Sequence, residues 1–149
     1  MWTIPVALIM GNCVILKPSE KAPQTIQRLV ELMVSAGVPN GVVQIVHGDA
    51  ETTAALCDHP GVHAVSFVGS SQGAESVAKR CHALNKRVLA LGGAKNHLLA
   101  LPDCDVAMTS RDVVASFAGC AGQRCMAASV LVLVGDGSEG TRNSFTDHL

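Results

Sequence analysis

A doubly wound α/β core with a parallel sheet is the fold class that this sequence predicts. Three observations lead there. Short apolar runs alternate with segments of helical period, the connections between them are brief, and most of the apolar runs are continuous. Continuous runs suit strands covered on both faces, and parallel strands need a crossover, which a helix supplies. A chain of 149 residues suits one domain or a large part of one, and it can bury a real core.

The stretch 1–10 is apolar and holds Pro5, but it lacks a basic leader and a small-residue cleavage site, and it is too short to cross a bilayer. Trp2-Thr3-Ile4-Pro5 opens without a polar lead-in, as the middle of a helix does. Residues 12–17 carry Val14-Ile15-Leu16, a buried strand. Pro18-Ser19-Glu20 breaks it and opens a helix on which Ile26, Leu29, Val30, Met33 and Val34 follow the helical period. Gly37 and Pro39 stop that helix. The strand 42–46 is closed by His47-Gly48-Asp49, and a short helix over 51–57 ends before Pro60-Gly61.

Residues 64–68 form the next strand, followed by Gly69-Ser70 and a helix over 72–84 with Ala74, Val77, Ala78 and Cys81 on one face. Residues 87–91 are extended, Gly92-Gly93 bends the chain, and 97–101 returns to apolar strand. Pro102-Asp103 introduces a helix bearing Val106, Val113, Val114 and Phe117. A turn over 119–125 and a strand over 129–134 follow, and from 135 to 149 the composition turns polar and glycine-rich.

Composition excludes some functions. A net charge of −1 leaves no basic stripe for nucleic acid or anionic membranes, and with no Tyr and one Trp there is no stacking platform for single strands. The six cysteines (13, 57, 81, 104, 120, 125) are irregularly spaced and form no CxxC, which points to a reducing compartment and mostly buried thiols. His59 and His63 are separated by Pro60-Gly61, which forbids the helical turn that would align them on a metal, so no metal site is expected.

Ligands of doubly wound sheets sit at strand carboxyl ends near helix N-termini. Two turns qualify. Lys17-Pro18-Ser19-Glu20 offers a cation and a carboxylate just past a strand, suited to an anion and a ribose diol. Val68-Gly69-Ser70-Ser71 offers a close-approach glycine and hydroxyls where a pyrophosphate can be held. Plain N-capping is the alternative for Ser19 and Ser70, and no GxGxxG is present.

Taken together, Lys17-Pro18-Ser19-Glu20, Pro39-Asn40-Gly41-Val42-Val43, Ser66-Phe67-Val68-Gly69-Ser70, Gly92-Gly93-Ala94-Lys95-Asn96-His97 and Gly122-Gln123-Arg124-Cys125 resemble the aldehyde dehydrogenase family in order and spacing. The resemblance runs from residue 1 to about 134 and implies part of that family's Rossmann-like fold. It divides the chain into a cofactor-binding core over 1–118, the start of a catalytic domain over 119–134 and a divergent polar tail over 135–149. The implied cofactor is NAD. Lys17 and Glu20 stand where the family holds the adenosine ribose, Gly69 and Ser70 where it meets the pyrophosphate, and Lys21 where the methylmalonate-semialdehyde branch usually has Arg.

Cys125 stands at the family's nucleophile. Its thiolate attacks an aldehyde carbon, a thiohemiacetal loses hydride to the nicotinamide, and a thioacyl-enzyme remains. The motif's glycine lets the chain expose the thiol, and the Cys125 amide can donate to the developing oxyanion. Arg124 is the candidate for a forked pair with a substrate carboxylate. Cys120, one turn upstream, is expected to pack beside Phe117. Hydrolytic members carry a glutamate base in Glu-Leu-Gly-Gly-Lys; anchored on Lys95, that position is Leu91, which cannot take a proton.

A thioacyl-enzyme without that base needs another acceptor, and the CoA thiol brings its own nucleophile. Ala94-Lys95-Asn96-His97 is also the wording of the methylmalonate-semialdehyde branch, although that branch usually has Asn where Leu91 stands. The implied activity is oxidation of a small semialdehyde to an acyl-CoA, propionyl-CoA or acetyl-CoA, as in valine and thymine catabolism. Two alternatives stay open: a hydrolytic dehydrogenase that has lost its base, and a non-catalytic binding module. The family's oxyanion asparagine is expected before Met1 and its Glu-Phe pair after Leu149, so the 149 residues alone are expected to show no dehydrogenase activity. The resemblance further implies homo-oligomers for full-length relatives, and mitochondria for a eukaryotic source or the cytoplasm otherwise.

Overall fold

Helix and strand alternate along residues 3–135, the part of the chain that the computed structural model describes. In order they are α1 (Ile4–Ile9), β1 (Val14–Leu16), α2 (Gln24–Ser35), β2 (Val43–Ile45), α3 (Ala50–Asp58) and β3 (Ala64–Val68). Then come α4 (Ser71–Ala83), β4 (Arg87–Leu91), β5 (Asn96–Ala100), α5 (Val106–Ala118), a 3-10 turn (Gly119–Gly122) and β6 (Ala128–Leu133). The chain divides into two compact units, Met1–Gly92 and Gly93–Leu149. Trp2 and the polar segment after Gly135 lie outside the described residues.

The α/β class and the parallel pairing are as the sequence predicts. Val14 pairs with Val43, Ala64 with Arg87, and Asn96 with Ala128, each in a parallel ladder. Hydrogen bonding joins these strands two by two, not into one continuous ladder. Three helices begin on side-chain caps. Asp49 accepts from the Glu51 N–H at 2.9 Å, Ser70 from Gly73 at 3.2 Å and Asp105 from Met108 at 2.8 Å.

One start differs from the sequence reading. Pro18-Ser19-Glu20 does not open a helix, because α2 begins at Gln24 with Pro23 as its N-cap. Ser19 instead accepts from the Lys21 N–H at 3.3 Å and its carbonyl from Ala22 at 3.2 Å. A helix starting at Ser19 would need the N–H of residue 23, which Pro23 lacks, and Pro23, with φ −80°, presets the later start.

In the first unit the core is Cys57, Val77 and Cys81, with Val65, Phe67 and Val88 packed on it. Ala74, Val77 and Cys81 recur three and four residues apart, so one stripe of α4 carries the burial. The other side of β3 and β4 is not covered as continuous apolar strands led us to expect: Val68 is 59% and Leu89 47% exposed. Arg80 forks onto Asp58 through two hydrogen bonds of 2.6 Å, which holds that carboxyl below its ordinary range. Lys86 donates to the carbonyls of Cys57 and His59, both at 2.6 Å, and so closes the C-terminal end of α3.

Thiol burial is less general than the sequence suggests. Only Cys57 and Cys81 are buried; Cys104 is half-buried, and Cys13, Cys120 and Cys125 are exposed. Burial, and then the neighbouring Cys81, pushes the Cys57 thiol up to about 11. In the second unit Ser110 on α5 is fully buried, and its hydroxyl has no hydrogen-bond partner among the described residues.

Two outcomes follow for stability. The Cys57 proton is held to about pH 11 in the folded chain, against an ordinary thiol value of 9.0. A raised folded value means stability that is whole below pH 9 and is lost as pH climbs toward 11, on the order of 3 kcal/mol. Denaturant midpoints of the natural chain and Cys57→Ala should therefore converge across that range, and a constant gap would refute the linkage. Ser110→Ala removes an unpaired buried hydroxyl and should raise stability by about 1 kcal/mol in the same assay; a loss of that size would show that the hydroxyl has a partner.

Candidate functional site

Four turns of the first unit lie at strand carboxyl ends: Lys17 after β1, His47-Gly48-Asp49 after β2, Gly69-Ser70 after β3 and Gly92 after β4. A cleft of about 590 Å³ is lined by Lys17, Ser19, Glu20, Asp49, Phe67, Ser70 and Arg80, among others. Three residues singled out from the sequence, Lys17, Glu20 and Ser70, are therefore brought to one concavity. Lys21 and Gly69 are not on its lining.

The Lys17 ammonium donates to the carbonyls of Pro18 at 2.7 Å and Gly48 at 2.8 Å, and it stands 3.9 Å from a Glu20 carboxylate oxygen. Two of its three donors thus tie the β1 and β2 turns together, and the third is available to a ligand oxygen. Glu20 is 57% exposed and keeps most of its acceptor capacity toward the cleft. Ser70 caps α4 by accepting from Gly73, which occupies a lone pair and leaves its hydroxyl proton free to donate. Capping and anion binding are compatible at this serine.

Packing explains the glycines. A Cβ at Gly69 would lie 2.7 Å from Cζ of Phe67, and one at Gly73 3.1 Å from the same atom. The Phe67 ring fills the space beneath the turn, and the Gly69 N–H donates to the Leu91 carbonyl at 3.0 Å, extending the ladder one step past β3. A Cβ at Gly92 would lie 2.8 Å from the Ser71 Cα. Phe67 was not among the sequence candidates; its only signal was an aromatic residue just before a strand-to-glycine turn. Leu91 ends β4 with an apolar side chain 38% exposed.

The second unit holds the cysteine turn. Cys120 (φ 54°), Ala121 (φ 54°) and Gly122 (φ 71°) are consecutive left-handed residues, and two of them carry a Cβ. The reversal leaves Cys125 exposed. It also exposes Cys120, which does not pack beside Phe117 as expected, since the left-handed backbone turns it outward; Phe117 itself is 48% exposed. Arg124 Nη2 donates to the carbonyls of Ala115 at 2.7 Å and Ser116 at 3.1 Å, at the C-terminal end of α5. Both forked edges of the guanidinium include Nη2, so the forked carboxylate pair expected from the sequence is not open in this arrangement. Nη1 is left for a single contact, beside a cavity of about 310 Å³ lined by Ala115, Ser116, Arg124 and Met126.

Downstream, the Asn96 amide donates to the carbonyls of Cys125 at 2.8 Å and Ala127 at 3.0 Å, while Ser116 Oγ accepts from the Ala128 N–H at 3.2 Å. Sequence reasoning quoted Asn96 within a motif but gave it no task.

The family whose sequence model matches the chain is the aldehyde dehydrogenase family, over residues 1–149. The chain is 49% identical over 135 residues to malonate-semialdehyde dehydrogenase 1 of Geobacillus thermodenitrificans, covering 91% of the chain and 28% of that relative. It is 51% identical over 132 residues to malonate-semialdehyde dehydrogenase of Lacticaseibacillus casei, covering 89% and 27%. The chain therefore spans little more than a quarter of the length of these relatives.

Solved structures agree. A Sinorhizobium meliloti protein described as a methylmalonate-semialdehyde dehydrogenase, complexed with NAD, is 44% identical with a TM-score of 0.78, covering 93% of this chain and 28% of that one. The methylmalonate-semialdehyde dehydrogenase of Oceanimonas doudoroffii is 41% identical with a TM-score of 0.79, covering 98% and 30%.

The left-handed run gives a paired expectation. Gly122→Ala adds a Cβ at positive φ and 3.0 Å from the Phe117 carbonyl, so it should cost about 1 kcal/mol or more. Ala121→Gly relieves the same kind of strain and should lose little or gain stability. Equal effects of the two variants in chemical denaturation would contradict the turn geometry.

Proposed function

The chain belongs to the aldehyde dehydrogenase family, and from that premise we propose that it carries the cofactor cleft and the nucleophile of an NAD-dependent, CoA-acylating semialdehyde dehydrogenase. The cofactor part is 1–118 and the start of the catalytic part 119–134. The relatives named for malonate and methylmalonate semialdehyde support the substrate class, and the Sinorhizobium structure with NAD supports the cofactor.

The cleft fits such a dinucleotide. Its volume is in the range of small-molecule sites. Glu20 offers carboxylate oxygens to a ribose diol, and Lys17 a remaining N–H. Ser70, at the head of α4, offers a hydroxyl where the helix dipole favours a pyrophosphate. Gly69 keeps the β3 turn free of a side chain, and Lys21 adds positive charge on the β1 turn. Bound NAD supplies the hydride acceptor.

Cys125 forms the carbon–sulfur bond to the aldehyde, and its own N–H can donate to the oxyanion. Arg124 keeps Nη1 for a single charge-assisted contact with the carboxylate of the semialdehyde. The observation that carries the choice of acceptor is Leu91. An apolar side chain in the base's position cannot activate water, whereas the thiol of CoA attacks the thioester and releases Cys125.

Turnover of semialdehyde and NAD by the protein in its family-length form, with and without CoA, tests this reading. Acyl-CoA should form, and CoA should raise turnover at least tenfold; equal rates would favour a hydrolytic dehydrogenase instead. Cys125→Ser should abolish turnover, whereas retained turnover would remove Cys125 from the reaction. Glu20→Ala should weaken NAD binding about tenfold by titration; unchanged binding would place the ribose elsewhere. The 149 residues alone are expected to give no turnover, and acyl-CoA from the purified chain would refute that.

A further inference from the structure

We infer that Asn96 is the positioning residue for Cys125: its side-chain amide anchors the carbonyl side of the nucleophile and so sets the backbone orientation at Cys125, whose own N–H is left open toward an oxyanion. The inference rests on the reading of Cys125 as the nucleophile. Both hydrogens of Nδ2 are used, one on the Cys125 carbonyl at 2.8 Å and one on the Ala127 carbonyl at 3.0 Å. Because both neighbours are acceptors, only the NH2 end of the amide can face them.

The backbone ladder does not do this work. Pairing of β5 with β6 starts at Asn96 and Ala128 and slips at the next step, where His97 meets Val130. Asn96 therefore extends the hold of β5 past the ladder's end, across the exposed Met126 to Cys125 itself. On the upstream side Arg124 is fixed to the end of α5, and downstream Ser116 takes the Ala128 N–H. Among the described residues no group accepts from the Cys125 N–H. Cys125 is thus held through its carbonyl, in the peptide to Met126, while its N–H, in the peptide from Arg124, is kept free.

The residue type matters. Alanine would leave two carbonyls without their donor, and aspartate, of nearly the same shape, would aim oxygens at them. The left-handed run just upstream makes the need sharper, since such backbone persists only where its surroundings over-determine it.

The test compares two reactions of the Cys125 thiolate in the natural chain, Asn96→Ala and Asn96→Asp, read by peptide mass spectrometry. With p-nitrophenyl acetate the sulfur bonds to the carbonyl carbon through an oxyanion, the C–O bond breaks and nitrophenolate leaves. With iodoacetamide the sulfur displaces iodide and no oxyanion forms. Both variants should lower the acylation rate about tenfold or more and the alkylation rate less than about twofold. Global damage would lower both alike, and an unchanged ratio of the two rates in a folded variant overturns the inference. If Cys125 of the natural chain is acylated no faster than the exposed Cys13, relative to alkylation, the nucleophile reading itself falls, and the inference with it.

Discussion

Two strands that run in the same direction cannot be joined by a tight turn, so β1 and β2, β3 and β4, and β5 and β6 are each bridged through a helix. That requirement decides where chemistry can be placed. Each chain reversal out of a strand lands at a carboxyl end, next to backbone donors that the following helix cannot satisfy. Lys17, Asp49 and Ser70 occupy those reversals in the first unit. The cleft is a by-product of parallel pairing, and its polarity comes from a few residues on three short turns.

Those turns are rigid for different reasons. The β1 turn is held by charge-assisted bonds from Lys17 to two carbonyls, one of them 31 residues away. The β3 turn is held by shape, with the Phe67 ring beneath Gly69 and Gly73 and leaning on the Cys57–Val77–Cys81 core. The forked Arg80–Asp58 pair is nearly half exposed at both ends, so solvent screening leaves it a minor contributor beside that packing. Apolar contact sets the shape of the cleft, and hydrogen bonding sets which donors remain in it.

Much of this was legible in the sequence. The bounds of β3 and β4 match the reading because glycines and a change of period punctuate both ends. Ser70 was legible twice, as a cap and as a candidate ligand, since both readings use the same position. The start of α2 was not, because Pro18-Ser19-Glu20 has the composition of a helix opening, and the bonds of Ser19 with Lys21 and Ala22 and of Lys17 with Gly48 make it a turn instead. Cys120 was misjudged for a similar reason: helical spacing from Phe117 assumes a right-handed chain, and the backbone there is left-handed. Asn96 lay in plain view, but a clamp formed across 29 and 31 residues has no local pattern.

The slip between β5 and β6 has a consequence for how this segment can vary. Ser129 is the residue passed over in the pairing, and beside it Val130 and Leu131 are both half-buried, breaking the alternation of the strand. In an unbroken ladder, one residue gained or lost in the cysteine turn would invert every side chain of β6. A strand that already contains a skipped position can absorb such a change by closing or widening the skip. The phase of the cysteine turn is thereby uncoupled from the phase of the strand, and the length of the one can drift without turning the other inside out.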